Sequence, residues 1–250
     1  MKQTIILVAL SLMVLVGCSK KAPVAKQPAL TLEALQEKAA NGDAKAQFEL
    51  GNRYANGEGV TKNDTIAMMW YRKAADQGIG GAQFNLGFAY NSGTGGLNKD
   101  EEAAEKWWVE AIKNLKTEAS EGDGDACMSL AVCYQLGLGT EPDEKAMHQW
   151  YEKAVENYRV KADAGDASAQ HSLGMCYQNG FGVEINGKEA FRWYEKAAEQ
   201  GNIASIRAMA SCYEYGIGVE RNAIKAHELY QKARQAGDAQ VAETDSTKKE

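Results

Sequence analysis

Apolar and small residues recur along this chain at helical spacing. Between Gly165 and Glu199 they fall at Ala169, Leu173, Gly174 and Tyr177, which are i, i+4, i+5 and i+8 on one helix face. Asn179-Gly180-Phe181-Gly182 interrupts that face, and glycine supplies the left-handed backbone with which a helix ends. Ala190, Trp193, Tyr194, Ala197 and Ala198 then occupy i, i+3, i+4, i+7 and i+8, a second amphipathic helix that stops at Gln200-Gly201. The predicted unit is a helix–loop–helix pair, and almost no strand-like alternation occurs anywhere in the chain.

The unit returns five times. Its signature is Leu50-Gly51-Asn52-Arg53-Tyr54 with Gly57 and Gly59, and it recurs at Leu86 to Tyr90, Leu130 to Tyr134, Leu173 to Tyr177 and Met209 to Tyr213. Such a period means stacked supersecondary units, which bind partners far more often than they catalyse. Small residues at two fixed positions (Ala46, Ala82, Ala126, Ala169, Ser205; Gly51, Gly87, Ala131, Gly174, Ala210) predict closely approaching helices. The repeat tyrosines and Trp70, Trp107, Trp150 and Trp193 read as the large residues that plug the core, with Leu229 replacing tryptophan in the last copy.

Opening glycines at Gly42, Gly78, Gly122, Gly165, Gly201 and Gly237 give steps of 36, 44, 43, 36 and 36 residues. The second copy has one extra loop residue between Tyr90 and Trp107; beyond that, the second and third copies each carry seven added residues near the end of their second helix, about two turns or ~10 Å. The expectation is two adjacent helices that project beyond the stack as a ridge.

The pattern Gly-Asp-Ala-x-Ala-Gln-x-x-Leu-Gly-x-x-Tyr-x-x-Gly-x-Gly-Val, then Ala-x-x-Trp-Tyr-x-Lys-Ala-Ala-x-x-Gly, stands almost letter for letter at Gly165–Val183 and Ala190–Gly201. It resembles the Sel-1-like repeat, a relative of the tetratricopeptide repeat. The resemblance implies an all-α fold, a right-handed α-solenoid of stacked repeats over residues 31–237. A capping helix at 31–41 precedes repeats at 42–77, 78–121, 122–164, 165–200 and 201–237, and a disordered tail at 238–250 follows.

The N-terminus reads as a targeting segment. Lys2 precedes an apolar run, Ile5 to Val16, too short to cross a bilayer as a helix (~20 residues are needed). Leu15-Val16-Gly17-Cys18 resembles the bacterial lipobox, which makes 1–17 a signal peptide and Cys18 the lipidated residue. Residues 18–30, polar and proline-bearing, read as an extended tether. Ser19 beside the cysteine resembles proteins sorted to the outer membrane, so the expected place is the cell envelope, facing the periplasm. A net charge of −6 with no basic block argues against nucleic acid.

Candidate chemistry is sparse. The Gly-x-Gly elements follow helices and never continue into a dinucleotide fingerprint, so they read as helix terminators. His148 and His227 sit two repeats apart, about 20 Å at ~10 Å per layer, and cannot share a metal; no metal site or cofactor is expected. Cys133, Cys176 and Cys212 occupy equivalent positions on successive layers, too far apart for a bridge, and read as buried thiols. Some cysteine-rich relatives are weak penicillin binders or hydrolases, but the one Ser-x-x-Lys here is Ser246 to Lys249, in the tail. The chain is not expected to be an enzyme.

By the same resemblance the first helices line a concave groove for a protein or peptide partner. The groove positions are Phe48, Asn52, Phe84, Asn85, Phe88, Met128, His171, Met175, Gln178 and Arg207. Phe84 and Phe88, four apart, suit either an anchor pocket or packing between repeats. The expected role is a membrane-anchored adaptor, with peptidoglycan binding or processing as the alternative and stacking of copies through Leu229 and Tyr230 as a third possibility.

Overall fold

A computed structural model describes residues 31–246. The expected leader, Cys18, the whole tether and residues 247–250 lie outside the described residues. Eleven helices and no strand make up the described chain. α1 (Leu32–Ala40) is followed by five pairs: α2 (Ala44–Asn56) with α3 (Asp64–Asp76), α4 (Gly80–Ser92) with α5 (Glu101–Ser120), and α6 (Gly124–Leu136) with α7 (Glu144–Asp163). α8 (Ala167–Asn179) pairs with α9 (Gly187–Glu199), and α10 (Ile203–Tyr215) with α11 (Ala223–Ser246). Each helix packs chiefly on its neighbours in sequence, the arrangement of an α-solenoid.

Local chemistry sets the boundaries. Asp43, Asp123, Asp166 and Asn202 cap the first helices of four repeats by accepting a backbone N–H from the first turn. Gly57, Gly93, Gly137, Gly180 and Gly216 end those helices in the left-handed region. The exception is α4, where Ile79 stands at the cap and offers no side-chain acceptor. Glu118 of α5 takes over: its carboxylate accepts the Gly80 N–H at 2.8 Å.

Glu118 belongs to the seven-residue extension of α5, and its reach shows what that extension does. Asn114 and Asn157 are bonded to Gln83 and Cys127 of their own repeats, as Gln77 and Gln200 are to Gln47 and Gln170. In the short second helices that residue is the C-cap; in α5 and α7 the helix runs on. Its far end receives the next repeat in the usual way, for Gln170 donates to the Ala162 carbonyl as Gln83 does to that of Ala75. The expected ridge is therefore a correction. Leu115, Ala119, Tyr158 and Ala162 are buried in the central core, and the extension shifts the next repeat along the helix axis by ~10 Å rather than projecting freely.

The roles of the large residues also differ from expectation. The deepest aromatics are Tyr71, Trp108, Tyr151 and Tyr194, one residue after each tryptophan of the ladder. Trp70, Trp107, Trp150 and Trp193 are half-buried and carry Lys73, Arg72, Lys153 and Lys196 over their rings. The small residue of the first helix makes room for the deep aromatic of the same repeat: a methyl group on Gly51 or Gly174 would come within 2.6 Å of the Tyr71 or Tyr194 ring. Gly87 likewise lies directly under Trp108.

The last helix is a second correction. α11 continues to Ser246, through nine residues of the segment expected to be disordered from 238. Gly237 lacks the positive φ of the other opening glycines, so nothing turns the backbone there.

Candidate functional site

The first helices α2, α8 and α10 face one another across the inside of the coil. Glu49 and Arg53 of α2, Ser168 and His171 of α8, and Ala204 and Arg207 of α10 surround a cavity of about 1140 Å³. Thr31, Leu32 and Glu33 at the start of α1 and the loop residues Glu58 and Lys62 complete the wall on the N-terminal side. The two ends of the array thus share one space.

The expected groove residues divide sharply. Phe48 lies against Gly81 of the next first helix and 5.8 Å from the Tyr71 ring, so it fills space between repeats. Phe84 and Met128 pack on the central core. Asn52 accepts the Tyr71 hydroxyl at 2.8 Å. Gln178 accepts the Tyr194 hydroxyl at 3.2 Å. These amides lock the deep tyrosines.

Three of the ten residues are exposed: Phe88, Met175 and Arg207. Phe88 is 37% exposed and stands edge-on to both Phe84 (4.9 Å) and Trp108 (5.4 Å). Phe84 is thereby the base of an aromatic step whose outer face is Phe88. Met175, at the equivalent position two repeats along in the fourth unit, is 38% exposed. Arg207 reaches the cavity wall.

Among the expected groove residues, His171 is the titratable side chain whose pKa burial moves. Its Nδ1 lies 2.9 Å from Ser205 Oγ, its ring 5.5 Å from that of Tyr194, and burial lowers its pKa. Ser205 is fully buried, so its hydroxyl is closed to substrate and its bond to His171 ties two repeats together. Cys127, Cys133, Cys176 and Cys212 are free thiols in the core. Burial pushes Cys133 and Cys176 up to about 12 and Cys212 to about 11, far from the thiolate a nucleophile needs. Among the described residues no group of three His, Cys, Asp or Glu is placed to hold a metal ion. No described helix is long and apolar enough to cross a membrane.

Glu33, Glu49, Arg53, Glu58, Lys62 and Ser168 were missed by sequence reasoning. Nothing within one repeat marks them, since their cavity exists only because the last repeats come round to the first.

Comparison with known proteins places these observations. The family model described as the Sel1 repeat matches residues 44–79, 81–114, 124–157, 167–202 and 203–238. A Sel1 repeat protein of Oxalobacter formigenes is similar at 33% identity, covering 82% of this chain and 77% of its own, with a TM-score of 0.40. A protective antigen of uropathogenic Escherichia coli displaying an SLR fold is 30% identical over 86% of this chain and 49% of its own, with a TM-score of 0.34. The secretory immunoglobulin A-binding protein EsiB of Escherichia coli is 53% identical over 45 residues, which is 18% of this chain and only 9% of that protein.

Proposed function

The chain belongs to the Sel1 repeat family, and from that premise we propose that it is an envelope adaptor which holds a protein or peptide partner on the inner face of its coil. Sel1 repeat proteins generally mediate protein–protein interaction, and the family is a non-catalytic scaffold. The observation that supports the finer reading is that Phe88 and Met175, at equivalent positions of two first helices, are exposed, whereas Phe48, Phe84 and Met128 on such helices pack against the core clusters. Large apolar side chains left at the surface beside a rigid aromatic base are the usual anchors of a partner.

Anchoring rests on the N-terminal pattern. The apolar run Ile5 to Val16 and Leu15-Val16-Gly17-Cys18 support lipidation at Cys18, and Ser19 supports the outer membrane as destination. The one relative whose name states a partner is matched over a small part of its length, so its immunoglobulin ligand is not carried over.

The test immobilises the full chain in detergent and passes solubilised envelope over it, beside a Phe88→Ala/Met175→Ala variant. Phe88 also packs on Phe84 and Trp108, so the variant should melt somewhat lower, and capture is compared at a temperature where thermal melts show both forms folded. A discrete partner that the variant retains about tenfold less or worse supports the adaptor reading. Cell-wall fragments held equally by both forms, with no protein, would replace it with peptidoglycan binding.

A further inference from the structure

The cavity between the first and last repeats has walls of opposite charge. On the α1–α2 side stand Glu33, Glu49 and Glu58 against Arg53 and Lys62, an excess of one negative charge. Both cations there already face carboxylates, Arg53 on Glu49 at 3.4 Å and Lys62 on Asp64 at 3.6 Å. On the opposite side Arg207 makes no ion pair or hydrogen bond with the side chains of residues 31–237, and burial lowers the pKa of His171 on the same wall. The N-terminal end of α10, at Ile203 and Ala204, adds partial positive charge to the same wall. A volume of about 1140 Å³ is beyond the ~300–1,000 Å³ of ordinary small-molecule clefts and leaves room for several amino-acid residues.

We propose that this cavity binds a short peptide with both ends free, its carboxylate at Arg207 and its ammonium against the Glu49–Glu58 wall. A zwitterion of that length answers both walls at once. A purely anionic or purely cationic ligand would leave one wall facing like charge. The inference deepens the adaptor reading by naming the chemistry of one part of the inner face, yet it uses residues other than Phe88 and Met175.

The test titrates the full chain in detergent by calorimetry with tri-L-alanine, its N-acetyl form and its C-terminal amide. The free peptide should bind, and each blocked form should bind about tenfold more weakly or worse, the usual loss for a hydrogen bond to a charged group. Arg207→Gln should reproduce the loss seen with the amide and make the protein indifferent to that block. Glu49→Gln/Glu58→Gln should do the same for the acetyl block. All these side chains lie outside the core, so unchanged thermal melts separate binding from folding. Equal binding of free and blocked peptides, or no binding of any at millimolar concentration, would overturn the proposal. If that happens while Phe88-dependent partner capture persists, the adaptor reading stands without it.

Discussion

Glycines at one sequence position of this repeat do different work in different copies. The second glycine of each Gly-x-Gly has positive φ, but only from the second repeat on does it touch the helix before it. Gly182 sits on the backbone of Tyr151 and Glu152, whereas Gly59, with no full repeat ahead of it, has open space around its α-carbon. Gly59→Ala should therefore cost only the left-handed backbone term, about 1–2 kcal/mol. Gly182→Ala adds a backbone clash and should cost about 3 kcal/mol or more. Urea midpoints of the two variants check this, and equal losses would contradict the contact. The buried thiols set a second expectation. Cys133 and Cys176 are raised from 9.0 to about 12, so the folded state keeps protons that the unfolded state releases. Their contribution to stability is whole below pH 9 and is lost as pH rises towards 12. Urea midpoints should hold level from pH 7 to 9 and fall above it; a rise would refute the assignment.

At the scale of the element, α4 shows how a missing local signal is replaced. Four first helices are capped by their own Asp or Asn, while Ile79 leaves α4 to borrow Glu118 from the extension of α5. Burial pushes the Glu118 carboxyl up and the Gly80 N–H opposes it, as expected for a carboxylate used as a cap inside a packed junction. Glu118→Ala should cost about 1 kcal/mol, and adding Ile79→Asp should restore most of it by supplying the ordinary cap. Failure of the second change to rescue the first, in paired denaturation curves, would show that Glu118 acts otherwise. The extension itself was legible as a count of seven, two whole turns. Its fate was not, because the number of residues says how long a helix is and not which neighbour will cover it.

For the whole molecule, stability is distributed unevenly along the stack. The largest core joins α5, α6, α7 and α8, where the long helices and three of the four buried cysteines meet, and smaller clusters serve the ends. In a solenoid each repeat leans on its neighbours, so opening should start where neighbours are few. Amide hydrogen exchange should be slowest in α5–α8 and faster in α1–α2 and α10–α11. Uniform protection from end to end would mean that the array opens as one unit.

The repeat, its helix pairs, their glycine stops and the small positions were written in the sequence, because each depends on contacts within a helix or a single pair, whereas which of two adjacent aromatics enters the core was not. Phe48, Asn52, Phe84 and Gln178 were expected on an inner face from the resemblance to the repeat family. Whether such a face ends in the core or in solvent depends on the neighbouring repeat, and only the tertiary structure put Phe84 below and Phe88 above the surface. The cavity lies furthest from the sequence. Glu49 and Arg207 meet around one space through the rotation and offset accumulated over all the intervening junctions, two of them shifted by the long helices. A small difference at each junction moves the last repeat by many ångströms, so no local pattern foretells which residues will face each other across the coil.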